Sequence, residues 1–117
     1  MRMTEISFGE ARPVDGYGPG FFRIGGAVVE GALLTGRGGT RAWGGFADTA
    51  ALVALAGEAD VVLIGTGAEM APLPVAFRAA LEAAGLGIEP MNSPAACRTY
   101  NVLLSEGRRV ALAVLPV

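Results

Sequence analysis

A cysteine, an arginine, a threonine, a tyrosine and an asparagine follow one another at Cys97, Arg98, Thr99, Tyr100 and Asn101. Just upstream, Ser93 can cap a helix with Pro94 at its first position, which puts Cys97 and Arg98 in the first two turns. A helix start carries partial positive charge, and a guanidinium adds a bidentate donor. Together they could hold a carboxylate or a phosphate. The same field could lower the pKa of the Cys97 thiol. Each feature also has a plain structural use. Arg98 fits an internal ion pair with Glu69 or Glu106. Cys97, with no histidine anywhere in the chain to act as its base, fits a small buried apolar role. Tyr100 and Asn101 have the donors and acceptors to satisfy buried backbone groups.

A second group is Gly65-Thr66-Gly67, which directly follows the apolar run ending at Ile64. Loops at the C-terminal ends of strands are where open α/β sheets place ligands, and glycine lets backbone N–H groups approach an anion. The dinucleotide fingerprint is absent: Met70 stands where its third glycine belongs, and Pro72 delays the next helix. The same glycines suit a tight turn. If this loop and the helix start near Arg98 are adjacent, they form one pocket for an anionic ligand.

Composition removes most other chemistry. The 117 residues carry a net charge of −2, one cysteine and no histidine, and all nine basic residues are arginine. Ser-His-Asp and Cys-His nucleophiles, histidine metal ligands, cysteine zinc sites, internal disulfides, lysine Schiff bases and the phosphate-loop lysine are all unavailable. No catalytic residue, metal or cofactor is implied. Glu69, Glu89 and Glu106 fall near element ends, but a chain this short has little room for a sugar cleft beside a core. The negative charge argues against nucleic acid as a partner. Arg37 and Arg41 flank a glycine-rich stretch and read as a solvated loop. Phe21, Phe22, Trp43 and Phe46 hold four of the eight aromatic residues. They would serve either a protein-binding surface or a core short of volume, since 21 residues are alanine. Phe22 is assigned to the core.

The elements that must position these groups change character near Asp48. The first half reads as antiparallel strands. These are Glu5 to Phe8, then Phe21 to Ile24 after a turn over Asp15 to Gly20, then Ala27 to Val29 after Gly25-Gly26, which reads as a hairpin turn or a bulge. Ala32 to Thr35 follows, then a loop over Gly36 to Thr40 and a strand at Arg41 to Trp43. In the second half Asp48 caps a helix bearing Leu52 and Leu55. Val61 to Ile64 is a buried central strand. Pro74 opens a helix with Phe77, Leu81 and Ala84 on one face. Gly87 to Pro90 is a short strand, Pro94 to Ser105 a helix, and Arg109 to Leu115 a closing strand. The alternation predicts one α/β domain over residues 1–117, with a mixed central sheet flanked by helices and the earlier hairpin strands added to it. The longest uncharged stretch is nine residues, Thr49 to Gly57, far below the roughly 20 that a spanning helix needs. With no basic-then-apolar leader, a cytoplasmic location is expected.

The run Met91 to Val110, centred on Ala96-Cys97-Arg98-Thr99-Tyr100-Asn101, resembles one family. So do Val62 to Gly67, and Tyr17-Gly18-Pro19-Gly20-Phe21-Phe22 with Trp43 downstream, in the same order. It is the family of proteins like the mitochondrial respiratory complex I assembly factor three, whose bacterial and archaeal members carry a domain of unknown function. The resemblance spans about Ile6 to Leu115. It implies a three-layer α/β domain with a mixed central sheet. It also implies a non-enzymatic interaction protein whose partners are complex I subunits or other assembly factors, peripheral to the inner membrane. No catalytic residue is carried over. Gly65, Thr66, Gly67, Cys97, Arg98, Thr99, Tyr100 and Asn101 match as a fold signature or pocket. The family usually has an acid where this chain has Asn92, and a threonine-like residue at Ser93. Mitochondrial members carry a leader that this sequence lacks, so a free-standing bacterial copy is expected.

Overall fold

The computed structural model describes residues 11–117; the strand expected at Glu5 to Phe8 lies outside them. Eight strands and three helices follow in order. These are β1 (Val14–Gly18), β2 (Phe21–Ile24), β3 (Ala27–Glu30), β4 (Leu33–Gly36), β5 (Gly39–Ala42), α1 (Thr49–Val53), β6 (Val61–Gly65), α2 (Val75–Ala83), β7 (Gly87–Met91), α3 (Ser93–Ser105) and β8 (Val110–Val114). A single 3-10 turn at Gly45–Ala47 precedes α1.

The central sheet is mixed, with strand order β5-β4-β8-β6-β7. Strands β6, β7 and β8 run parallel; β4 runs antiparallel to β8 and β5. The two interior strands β6 and β8 carry the unbroken apolar runs Val61–Ile64 and Val110–Val114, as strands covered on both faces must. Pro90 lies on the edge strand β7, where a missing N–H leaves no partner unpaired.

Alternation sorts the core into two layers. Leu63, Val110, Leu112 and Val114 face α3 and the β1–β2 strands, packing with Phe22, Ile24, Ala96, Cys97 and Tyr100. Val62, Ile64, Ala111 and Ala113 face the other way, onto Leu52 of α1 and Phe77 and Leu81 of α2. The sheet is therefore flanked on both sides, the three-layer arrangement expected.

Four local expectations change. Strands β1–β3 form a separate antiparallel sheet, and only the β4–β5 hairpin joins the central one. Asp15 to Gly18 pairs with β2 as strand, so the turn shrinks to Pro19-Gly20. The Gly36 to Thr40 segment is a tight hairpin instead of a loop, with Gly36 already paired to Gly39. Asp48 precedes α1, but its carboxylate accepts from the Gly44 N–H at 3.1 Å and makes no helix cap. Of the two readings of Gly25-Gly26, the hairpin turn holds and the bulge does not: Ile24 pairs with Ala27, and both glycines have positive φ, 57° and 86°, which a two-residue turn between twisted strands needs.

Candidate functional site

Gly65 ends β6 beside Met91 of β7 and Val114 of β8. Because α3 begins just past β7, the Gly65-Thr66-Gly67 loop and the helix start lie side by side. Ser93 joins them. Its N–H donates to the Gly67 carbonyl at 2.7 Å, and its Oγ accepts from the Gly67 N–H at 2.9 Å. The same hydroxyl donates to the Leu115 carbonyl at 2.6 Å, and the Leu115 N–H returns to the Gly65 carbonyl at 2.9 Å. Ser93 is completely buried. A Cβ at Gly65 would sit 2.6 Å from Ser93 Oγ and 2.9 Å from its Cα, so glycine there is a condition of the close approach. The Thr66 N–H donates to the Met91 carbonyl at 2.9 Å, and its Oγ1 donates to the Glu69 carbonyl at 2.7 Å and accepts from the Ala71 N–H at 3.0 Å.

The start of α3 is satisfied within the chain. Asn92 is the cap: its Oδ1 accepts from the Ala95 N–H at 2.8 Å. Ser93, expected in that role, holds the Gly67 loop instead. Pro94 has no N–H, and the Ala96 N–H donates to the Asn92 carbonyl at 2.9 Å. An aspartate there would supply the same acceptor as Asn92. The sequence signal was ambiguous, since both Asn92 and Ser93 are capping residue types.

The Cys-Arg-Thr-Tyr-Asn run divides by helical face. Cys97 and Tyr100 point into the layer between α3 and the sheet. Burial pushes the Cys97 thiol up to about 11, against a smaller opposing pull from the Arg98 charge, so it is protonated at neutral pH. Burial likewise pushes the Tyr100 phenol up to about 12, and its hydroxyl donates to the Arg12 carbonyl at 3.2 Å. Asn101 Oδ1 accepts from the Val14 N–H at 2.8 Å, and its Nδ2 donates to the Val14 carbonyl at 2.9 Å. Thr99 is half-buried. Arg98 is exposed and, among the described residues, makes no ion pair; the internal partners Glu69 and Glu106 do not engage it.

The three glutamates do not gather. Glu106 closes α3, and thirteen residues of helix carry it about 20 Å from the end where Glu69 lies. Among the described residues no three histidine, cysteine or acidic side chains converge. Three of the four aromatics build core: Phe22 and Trp43 are buried, and Trp43, Phe46 and Phe77 form a cluster with ring centroids 5.0–6.2 Å apart, whereas Phe21 is half-buried and belongs to neither core layer. Arg37 and Arg41 are both exposed, as read, though Arg41 stands on strand β5 and both border a cleft beside α1. The hairpin register carried that signal, since pairing Gly36 with Gly39 sets Arg41 opposite Leu34.

With this geometry in hand, the chain has clear likenesses. The model of a family described as protein of unknown function (DUF498/DUF598) matches residues 14–115. An uncharacterized protein of Rhodobacter capsulatus is 54% identical over 117 residues, spanning 100% of this chain and 94% of that protein. A 59-residue stretch is 36% identical to NADH dehydrogenase (ubiquinone) 1 alpha subcomplex assembly factor 3 of Danio rerio, spanning 50% of this chain and 34% of that protein. The crystal structure of an outer membrane protein from Bartonella henselae superposes with a TM-score of 0.86 at 32% identity, covering 94% of this chain and 98% of that one.

Proposed function

The chain belongs to the DUF498/DUF598 family, and on that footing we propose that it is a non-enzymatic interaction protein that assists assembly of respiratory complex I. The observation that carries this reading is the likeness to the Danio rerio assembly factor. The site geometry agrees with it. Every group of the Cys-Arg-Thr-Tyr-Asn run with a hydrogen bond or deep burial serves the packing of α3, and Arg98 is left facing solvent, where a partner protein would meet it. No helix among the described residues is long and apolar enough to cross a membrane.

The test is a tagged full chain recovered from gently crosslinked cells, membrane fraction included, together with a clean deletion strain. Recovery of complex I subunits or other assembly factors, with less assembled complex in the deletion strain and unchanged subunit synthesis, supports the proposal. Normal assembly without the protein overturns it.

One observation favours a second reading, an anion-binding module at Gly65-Thr66-Gly67 and Arg98: the Gly67–Ser93 bonds do bring the loop and the helix start together. Its amides are already engaged within the chain, so ligand binding there requires these bonds to open. Protection of the Gly67 amide from exchange, unaltered by phosphate or carboxylates, would dismiss it.

A further inference from the structure

At the opposite end of the central sheet, the β4–β5 hairpin, α1 and the start of β8 enclose a cleft of about 260 Å3. We propose that this cleft is a binding site for a small monocarboxylate with an apolar tail, independent of the assembly role.

The cleft follows from the lengths and sizes of its walls. Helix α1 has only five residues, and it and the turns after it contribute Ala51, Ala54 and Ala59 to the wall. The sheet contributes Gly36 and Ala111. No bulky side chain fills the gap, so Leu34, Leu55 and Ala111 are left as an apolar floor.

Charge sits at the rim. Leu34 pairs with Arg41 in the hairpin register, and cross-strand partners point to the same face of a sheet. Arg41 therefore stands on the face that Leu34 shares with α1. Arg37 follows at the turn and also borders an adjoining open depression. Among the described residues neither arginine has an acidic partner. Arg109, by contrast, is committed to Asp60 at 2.8 Å and to the Gly57 carbonyl at 3.3 Å.

The same rim selects the ligand. Arg37 and Arg41 face one acid, Glu58, across the cleft. The balance is one positive charge, which neutralises a monoanion and leaves a dianion with a buried excess charge. A guanidinium matches a carboxylate with two parallel hydrogen bonds. The apolar floor requires a tail, since a bare hydrated anion would gain nothing from it. A cleft of about 260 Å3 has room for a short acyl chain such as that of heptanoate.

The experiment titrates the full chain with heptanoate, 1-heptanol and inorganic phosphate, followed by two-dimensional nitrogen–proton spectra. The expected result is saturable shifts at Leu34, Gly36, Arg41, Ala51 and Leu55 with heptanoate. Heptanol should bind about tenfold more weakly or worse, and phosphate should give no saturable shift at these residues. The double variant Arg37→Ala/Arg41→Ala should lose about tenfold in heptanoate affinity and keep the heptanol response. Ala54→Leu, at an exposed αR position, should narrow the cleft and remove binding of both. Equal affinity for heptanol, shifts scattered away from the cleft, or no saturation up to about 10 mM, beyond the weak end of specific binding, would overturn the proposal. If the double variant fails to fold, the heptanoate-against-heptanol comparison and Ala54→Leu still decide.

Discussion

The side-chain amide of Asn101 holds both backbone groups of Val14, accepting from its N–H at 2.8 Å and donating to its carbonyl at 2.9 Å. A helix side chain thus takes the place of a neighbouring strand at the entry to β1, 87 residues away in sequence. This contact fixes the small β1–β3 sheet to α3, and through α3 to the central sheet. Asn101→Ala should leave two partly buried backbone groups unpaired and cost about 2 kcal/mol. Urea unfolding would measure the loss, and hydrogen exchange should show it first at the Val14 amide. Wild-type protection of that amide in the variant would show that the contact carries no stability.

Ser93 and Gly65 form the tightest approach in the candidate site. Ser93→Ala removes the acceptor of the Gly67 N–H and the donor to the Leu115 carbonyl, and should cost about 2 kcal/mol. Gly65→Ala places a methyl 2.9 Å from the Ser93 backbone and 2.7 Å from Val114 Cγ1, and should cost about 3 kcal/mol. The double variant should cost less than the sum, since the nearest obstacle to the new methyl, Ser93 Oγ at 2.6 Å, is then gone. Strict additivity in denaturant unfolding would mean that the two residues do not meet.

Alkaline stability should report the burial of Cys97 and Tyr100. The folded chain holds the thiol proton to about 11 against an ordinary 9.0, and the phenol proton to about 12 against 10.0. The unfolded chain releases each proton earlier, so the stabilisation is complete below pH 9 and is lost as pH rises toward the folded values, by up to about 3 kcal/mol per group. Unfolding midpoints should be flat from pH 7 to 9 and fall above it. In Cys97→Ala the fall should start nearer pH 10, where the tyrosine alone remains. A flat profile to pH 11 would contradict the burial of both groups.

How much of this was legible in the sequence depends on the range of the forces concerned. The strands Val61–Ile64 and Val110–Val114 announced themselves, because burial on two faces demands an unbroken apolar run. Phe77 and Leu81 did so through helical spacing. Gly25-Gly26 carried its turn locally, in two residues that accept positive φ. The separate β1–β3 sheet was not legible, since the choice between joining the central sheet and packing across it rests on Asn101 meeting Val14, and no local pattern encodes that. Ser93 looked like a cap for the same reason: its partners Gly67 and Leu115 are remote in sequence. The cleft was hidden by a hairpin register that Arg37 and Arg41 do not display by spacing alone.

Arg98 allows fold and function to be separated. Its neighbours Cys97 and Tyr100 are core, so their loss would disturb α3 and would confuse any test of partner binding. Arg98 is exposed and, among the described residues, has no ion pair, so Arg98→Ala should keep stability within about 0.5 kcal/mol. It should also raise the Cys97 thiol further, because the Arg98 charge is what pulls it down. If this arginine meets an acidic surface on a partner protein, Arg98→Glu should sharply reduce recovery of crosslinked partners, and Arg98→Ala should do so by less. Circular dichroism and urea midpoints should match wild type in both. Unchanged recovery with Arg98→Glu would move the search for the partner surface to another face of the molecule. A large loss of stability would show that the arginine serves the fold after all.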